Sequence, residues 1–502
     1  MEIDGENLDL KRLKSVIEKK EEVEISEEAR KRVDHGRKSL LKLIEKGNPI
    51  YGVNTGFGSL LNKRINAEDS KNLQLNLIRS HSSGYGNPLS EEKVRAIMLI
   101  RANSLARGFS GVSIELIEKM AEFLNRGVYP FVPEYGSVGA SGDLAPLAHL
   151  CLALIGEGEI IHNGRMVPAK EALEEMGIKP YELKEKEAIS FINGTSAITG
   201  IGSVELIRAK KNLAMAGASF LLAFESLRGT RKAFTPWALA TRKQFGQSLI
   251  GSKMYSIFSG SERVIEQDSL KIQDAYTLRC TPQVYGAVFD TISYVESIFT
   301  SEMNSTTDNP LINDDEYVSS GNFHGEPVAF ACDFLAIALT DLGNMIERRL
   351  ARITDSSLSG LEPFLIKNSG LNSGFMIGQY AAAALCNRNK ILSYPGSADS
   401  IPTCANQEDH VSMGTNGANK LEEINGNLKR IIATEFVMGA QAMDLSPGGY
   451  SKTSMEIHDL IRKKIPYLER DRPIYRDMNC MEEIMDGEQF MHIVGENFNF
   501  LL

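Results

Sequence analysis

The chain has 502 residues, 42% apolar and 24% charged, with 43 glycines and 17 prolines. That balance belongs to a globular protein and excludes a disordered or fibrous chain. The net charge of −10 makes nucleic acid a poor partner, because phosphate binding relies on clustered Lys and Arg. Six cysteines, none in a CxxC pair, give neither a zinc-ribbon signal nor a disulfide framework.

In chain order, the opening MEIDGENLDLKRLK has no apolar run of signal-peptide length, so the expected location is the cytoplasm. Segment 90–107 predicts a helix. Ser90 is its N-cap, Glu91 and Glu92 stand in the first turn, and Gly108 is the stop. Val94, Ile97, Met98 and Leu105 mark one apolar face of it. Residues 135–150, YGSVGASGDLAPLAHL, read as a glycine turn opening a helix at Asp143 with Pro146 in its first turn. Glu159–Ile161 and Arg165–Val167 predict a small hairpin about His162-Asn163-Gly164. Long helices are expected over 197–228, 282–303, 327–353 and 375–393. The one over 327–353 is apolar nearly all round, which places it in the centre of a bundle or an oligomer interface. Its run is interrupted by Asp333 and Asp341, so it reads as a core helix and no membrane span is expected. The best boundary lies near Asn193-Gly194-Thr195, dividing the chain into 1–195 and 196–502.

The familiar catalytic signatures are missing: GxxxxGK[ST], HExxH and GxSxG do not occur. His324-Gly325-Glu326-Pro327 has the HxE spacing of zinc deaminases without their downstream PCxxC, so no metal is expected. The glycines at 136, 139 and 142 follow no β-run, which argues against a dinucleotide loop. Composition alone favours a plain glycine turn there. The sharper reading is chemical. Gly142 has no Cβ, so its nitrogen can approach the Ala140 carbonyl in a compressed turn. Condensation with loss of two waters gives 4-methylideneimidazol-5-one (MIO), with Ser141 supplying the methylidene. Such a ring is an electrophile, which the unmodified side chains do not offer.

YGSVGASGDLAPLAHL resembles the MIO-forming motif of the aromatic amino-acid ammonia-lyase family. Further motifs match in order: Tyr51-Gly-Val-Asn-Thr-Gly-Phe-Gly58, Phe191-Ile-Asn-Gly-Thr195, Gln273-Asp-Ala-Tyr-Thr-Leu-Arg-Cys280, Asp308-Asn-Pro310, Gly321-Asn-Phe-His-Gly-Glu326 and Ala405-Asn-Gln-Glu-Asp-His-Val-Ser-Met413. Together they span roughly residues 30 to 480. The resemblance implies a mainly α fold, a bundle of long helices with a smaller mixed N-terminal region. It also implies a homotetramer whose active sites are assembled from three subunits, and no external cofactor beyond MIO. Ser80-His81 with ANQEDHVSM resembles the histidine-acting branch, since phenylalanine-acting members carry a neutral amide where Glu408 stands. The implied reaction is L-histidine to trans-urocanate and ammonia, with either the substrate amine or its aromatic ring attacking the MIO carbon. Tyr51 is the expected base for the β-proton; a phenol of ordinary pKa about 10 needs lowering or a nearby charge to serve near neutrality. Arg279 is the expected clamp for the substrate carboxylate. Tyr276 orients or relays a proton, Asn193 and Gln273 hydrogen-bond the ring carbonyl and the carboxylate, and Phe323 packs against ring or substrate. His81 and Glu408 are expected to hold the imidazole, His81 complementing the nitrogen that Glu408 does not take. Asp409 and His410 read as scaffold, and Asp143 as a group that bends the loop. Tyrosine lysis, a MIO-dependent aromatic 2,3-aminomutase, and a non-catalytic helical oligomer retaining the fold remain open alternatives.

Overall fold

The computed structural model describes all residues except 48, 57, 59–64, 66–68, 163 and 267–271. Helix dominates, as expected, with twenty α-helices among the described residues. The contacts divide the chain into two units, each discontinuous in sequence. One comprises Met1–Glu205, Val295–Asp333 and Pro395–Asn419; the other comprises Leu206–Tyr294, Phe334–Tyr394 and Lys420–Leu502. The first 195 residues thus share a unit with two later segments. Four of the five boundaries fall inside long helices and the fifth follows Tyr394, just past the end of Met376–Leu392, so composition carries little trace of them.

In the first unit the helix Glu91–Leu105 is central. Every residue from Lys93 to Leu105 is buried, so the single apolar face read from the sequence is a correction to make: the helix is enclosed all round. Its polar residues are matched individually. Lys93 pairs with Glu205 at 3.3 Å, and Arg95 donates to the carbonyls of Val16 and Leu124 at 2.8 to 3.1 Å. Buried charges are tolerated where such partners exist. Ser90 has the extended N-cap backbone but makes no capping bond through its side chain. Gly108 ends the segment at φ +87, where a Cβ would lie 2.6 Å from the Arg32 carbonyl oxygen.

All strands among the described residues are short and lie in this unit. The predicted hairpin forms, Ile161 opposite Met166 and His162 opposite Arg165, and Tyr129–Pro130 adds a third strand. Asn163 at its turn lies outside the described residues. Three helices, Ser70–His81, Leu144–Leu154 and Glu187–Ile192, pack against one another. The middle one, LAPLAHLCLAL, is apolar apart from His149, which suits a helix covered on most sides.

The second unit holds the later long helices, including Met376–Leu392 and most of Gly414–Leu445. Phe220, Phe224, Phe234 and Phe258 form an aromatic cluster, Phe224 and Phe258 stacked at 4.5 Å. Buried Arg349 lies over Phe220 and donates to Glu435 at 2.7 Å and to the Tyr285 hydroxyl at 2.6 Å. The helix predicted over 327–353 runs Glu326–Thr354. By length and composition it could cross a membrane, but 67% of its most apolar stretch is buried within the protein, the signature of a core helix.

Candidate active site

The three packed helices of the first unit converge at their ends. Ser70–His81 finishes on His81, Glu187–Ile192 is capped by Asn193, and Leu144–Leu154 begins after Asp143. These ends meet at a cavity of about 950 Å³. Tyr51, His81, Ser141, Asn193, Phe323 and Glu408 all line it. Residues from Tyr51 to Glu408 therefore share one cavity, His81, Ser141 and Asn193 at or beside the helix ends and Tyr51, Phe323 and Glu408 from loops.

The glycine loop is held from several sides. Ser141 has φ +51 and Gly142 φ +71, left-handed backbone that L side chains avoid. A Cβ on Gly142 would lie 2.2 to 2.4 Å from the Gly194 backbone, so only glycine permits this approach. The Asp143 amide donates to the Gly194 carbonyl at 2.7 Å, and Met413 donates to the Val138 carbonyl at 2.9 Å. The Asp143 carboxylate accepts from Ser137 Oγ at 2.9 Å, Thr415 Oγ1 at 2.8 Å and the Ile198 amide at 2.7 Å. Complete burial pushes this carboxyl up to about 6, while those donors pull it back down. Behind Gly194 sits buried Arg101, which donates to the Ser190 and Asn193 carbonyls. Its desolvation lowers it to about 10, with Asp308 and Asp143 opposing that, so it stays cationic at neutral pH.

The structure tests whether this loop suits MIO. Cyclisation needs a tight turn, and the positive φ angles together with the close Gly142–Gly194 approach fit that requirement. A second observation fits as well. Asn193 donates through Nδ2 to the Asn309 carbonyl at 3.0 Å, which fixes its amide orientation, and its buried Oδ1 has no partner among the described residues.

Glu408 reaches the loop from a strained turn. Cys404, Ala405 and Asn406 all have φ between +50 and +64. The turn is closed by paired backbone bonds between Thr403 and Glu408, at 2.9 and 3.3 Å. One Glu408 oxygen accepts from Thr403 Oγ1 at 2.6 Å, the other from Ser141 Oγ at 2.9 Å. His81 Nδ1 lies 2.9 Å from the Leu77 carbonyl, which can only accept, so Nδ1 carries the proton and Nε2 is an acceptor. Burial lowers the His81 pKa, against the Leu77 bond and the charge of Glu408, and keeps the ring neutral. A neutral His81 in this tautomer offers a lone pair and not the N–H that complementing the second imidazole nitrogen would need.

Tyr51 accepts from the Gly58 amide at 2.8 Å. Its phenol is pushed up by burial, the Gly58 bond pulls it down, and Cys404 and Glu408 add to the rise. A lowered pKa, the first of the two routes expected for Tyr51 as a base, is therefore not what the free chain has. Gln273, Tyr276 and Arg279 belong to the second unit and do not line the cavity. Tyr276 is 71% exposed, Gln273 is exposed, and the Arg279 guanidinium lies over the Tyr276 ring at 4.8 Å. His324, Glu326 and His410 bring ligand-type atoms within 4.8 Å of one another, with the two rings 5.3 Å apart.

Sequence reasoning passed over Gln74, Arg101 and Thr403. Gln74 is fully buried and ties the Gly52 carbonyl, beside Tyr51, to the Ala188 amide. An Arg inside an apolar helical run was the available signal for Arg101; Thr403 carried none beyond its nearness to Glu408.

The aromatic amino acid lyase family matches residues 8–463. The chain belongs to this family. It is 55% identical over 492 residues to the probable histidine ammonia-lyase of Thermoplasma volcanium, covering 98% of this chain and 99% of that one. Among solved structures it is similar to histidine ammonia-lyase from Trypanosoma cruzi, with a TM-score of 0.91 and 38% identity over 100% of this chain and 95% of the other. It is also similar to the tyrosine aminomutase of Streptomyces globisporus, with a TM-score of 0.95 and 35% identity over 99% and 98%. The mainly α long-helix fold expected from the motifs is the fold these relatives share.

Proposed function

We propose that the chain is a carbon–nitrogen lyase that eliminates ammonia from L-histidine to give trans-urocanate, using MIO formed from Ala140, Ser141 and Gly142. The observation that carries the reading is the placement of Glu408 and His81 in one cavity with Ser141. Both offer acceptors, and an imidazole N–H can satisfy either. A phenyl ring has no such donor and would leave Glu408 Oε1 without one, a discrimination that reaches about 10⁴-fold where a site is built for hydrogen bonding. The full-length similarity to histidine ammonia-lyases supports the same substrate.

When formed, MIO supplies an electrophile that activates the amine as a leaving group. The chain's own residues do the rest. Asn193 Oδ1, buried and unpartnered, is placed to accept from the substrate's ammonium. Tyr51 takes the β-proton; with its phenol raised by burial, the cationic amine entering the cavity is the charge that favours phenolate. Phe323 walls the ring.

The described lining contains no Lys or Arg for the substrate carboxylate. Arg279, with Tyr276 and Gln273, fills that need when supplied by a second copy, which supports a homotetramer with shared sites. The helix Glu326–Thr354 also presents Phe330, Phe334 and Ile337, each more than 40% exposed at i, i+4 and i+7, a stripe suited to a neighbouring copy. A cytoplasmic location accords with this reading.

Incubation with L-histidine, L-tyrosine and L-phenylalanine, followed by ultraviolet absorbance and chromatography, tests it. Urocanate from histidine is expected. Product from tyrosine alone, or a β-amino acid, would overturn it in favour of tyrosine lysis or an aminomutase.

A further inference from the structure

We propose that Glu408 has a second task before any substrate arrives: it carries the proton in the dehydration of Ser141 that completes MIO. The inference rests on the reading that Ala140-Ser141-Gly142 cyclises. In the first condensation a bond forms between the Gly142 nitrogen and the Ala140 carbon. The Ala140 oxygen leaves as water with the protons of the Gly142 and Ser141 nitrogens. In the second, the Cα–H and Cβ–Oγ bonds of Ser141 break and a Cα=Cβ bond forms. A base must take the Cα proton and an acid must protonate the departing oxygen. A single carboxylate beside Ser141 does both and ends unchanged.

The geometry selects Glu408 for this. Its Oε1 accepts from Ser141 Oγ at 2.9 Å, on the very atom that leaves. Its other oxygen is held by Thr403 Oγ1 at 2.6 Å, and its backbone is paired with Thr403 in both directions, so the carboxylate is fixed against the loop. The other neighbouring acid, Asp143, has both oxygens engaged by Ser137, Thr415 and Ile198, and none of these bonds involves Ser141. Asp143 shapes the loop, whereas Glu408 addresses its reacting hydroxyl. Departure of that hydroxyl also frees Oε1. The carboxylate exchanges Ser141 for the substrate ring, so recognition of substrate is withheld until maturation is complete.

Intact mass of the full chain, followed through time after refolding, separates the steps. Wild type is expected to lack two waters. Glu408→Gln, which keeps a hydrogen bond to Ser141 but cannot shuttle a proton, is expected to lack one water and to lose the second roughly a hundredfold more slowly. Cooperative melting shows that the variant has folded. Should it not fold, Glu408→Asp decides: its shorter carboxylate retracts from Oγ, and slower loss of the second water in a folded chain supports the proposal. Loss of both waters at the wild-type rate by a folded variant overturns it. Wild-type protein that lacks no water instead defeats the cyclisation on which the proposal rests, a separate outcome.

Discussion

Gly142→Ala isolates the physical requirement of the site. At φ +71 an alanine pays about 1–2 kcal/mol for left-handed backbone. Its Cβ would also stand 2.2 Å from the Gly194 carbonyl oxygen, 2.3 Å from its carbon and 2.4 Å from its nitrogen. Those atoms are backbone, and Gly194 is itself backed by Arg101, whose Nη1 lies 2.2 Å from where a Gly194 Cβ would stand, so the pair cannot separate cheaply. Overpacking of this kind adds about 1–3 kcal/mol. Together the penalty is roughly 2–5 kcal/mol, which at about 1.4 kcal/mol per tenfold lowers the population of the compressed turn by about 30- to 4,000-fold. The variant keeps the reacting N–H, so its rate of water loss, followed by intact mass, should fall by that factor if compression drives the chemistry. Gly177→Ala is the control. It has φ +67 and nothing within 4 Å of its added Cβ, so it bears the backbone cost alone and should mature normally. Equal maturation of Gly142→Ala and wild type would refute the argument that steric compression makes this tripeptide reactive.

Other perturbations follow from the same geometry. The Asp143 carboxyl is raised from an ordinary 3.8 to about 6, so the unfolded chain holds fewer protons than the folded one between those values, and stability should fall as pH rises through the window by about 3 kcal/mol. Chemical denaturation at about pH 4 and pH 6.5 should show that slope in wild type and its reduction in Asp143→Asn. Arg101→Met should lower stability by about 3 kcal/mol, since it strips buried carbonyls at Ser190 and Asn193 of their donor, and should slow water loss by loosening Gly194; a thermal melt and mass time course check both. Ser141→Ala and Arg279→Ala should each be inactive alone, while their mixed oligomers regain a fraction of wild-type turnover; no recovery after subunit exchange would place Arg279 outside the shared site.

The sequence by itself determined much of this protein. The apolar run of Leu144–Leu154, the Ser90–Gly108 helix limits and the hairpin at 159–168 were legible because local pattern and turn chemistry decide them. The ordered motifs likewise named Tyr51, His81, Ser141, Asn193, Phe323 and Glu408, which the fold then gathers around one cavity. Tertiary structure alone decided the rest. Helix Glu91–Leu105 looked one-faced because Lys93, Arg95 and Arg101 are polar in sequence, yet each finds a partner from a distant segment and is buried. The tautomer of His81 depends on where the Leu77 carbonyl points, and the pKa of Tyr51 on how deeply the loop is covered. Arg279 is absent from the cavity's lining because a residue's chemistry is written in the sequence, whereas its neighbours are set by long-range packing.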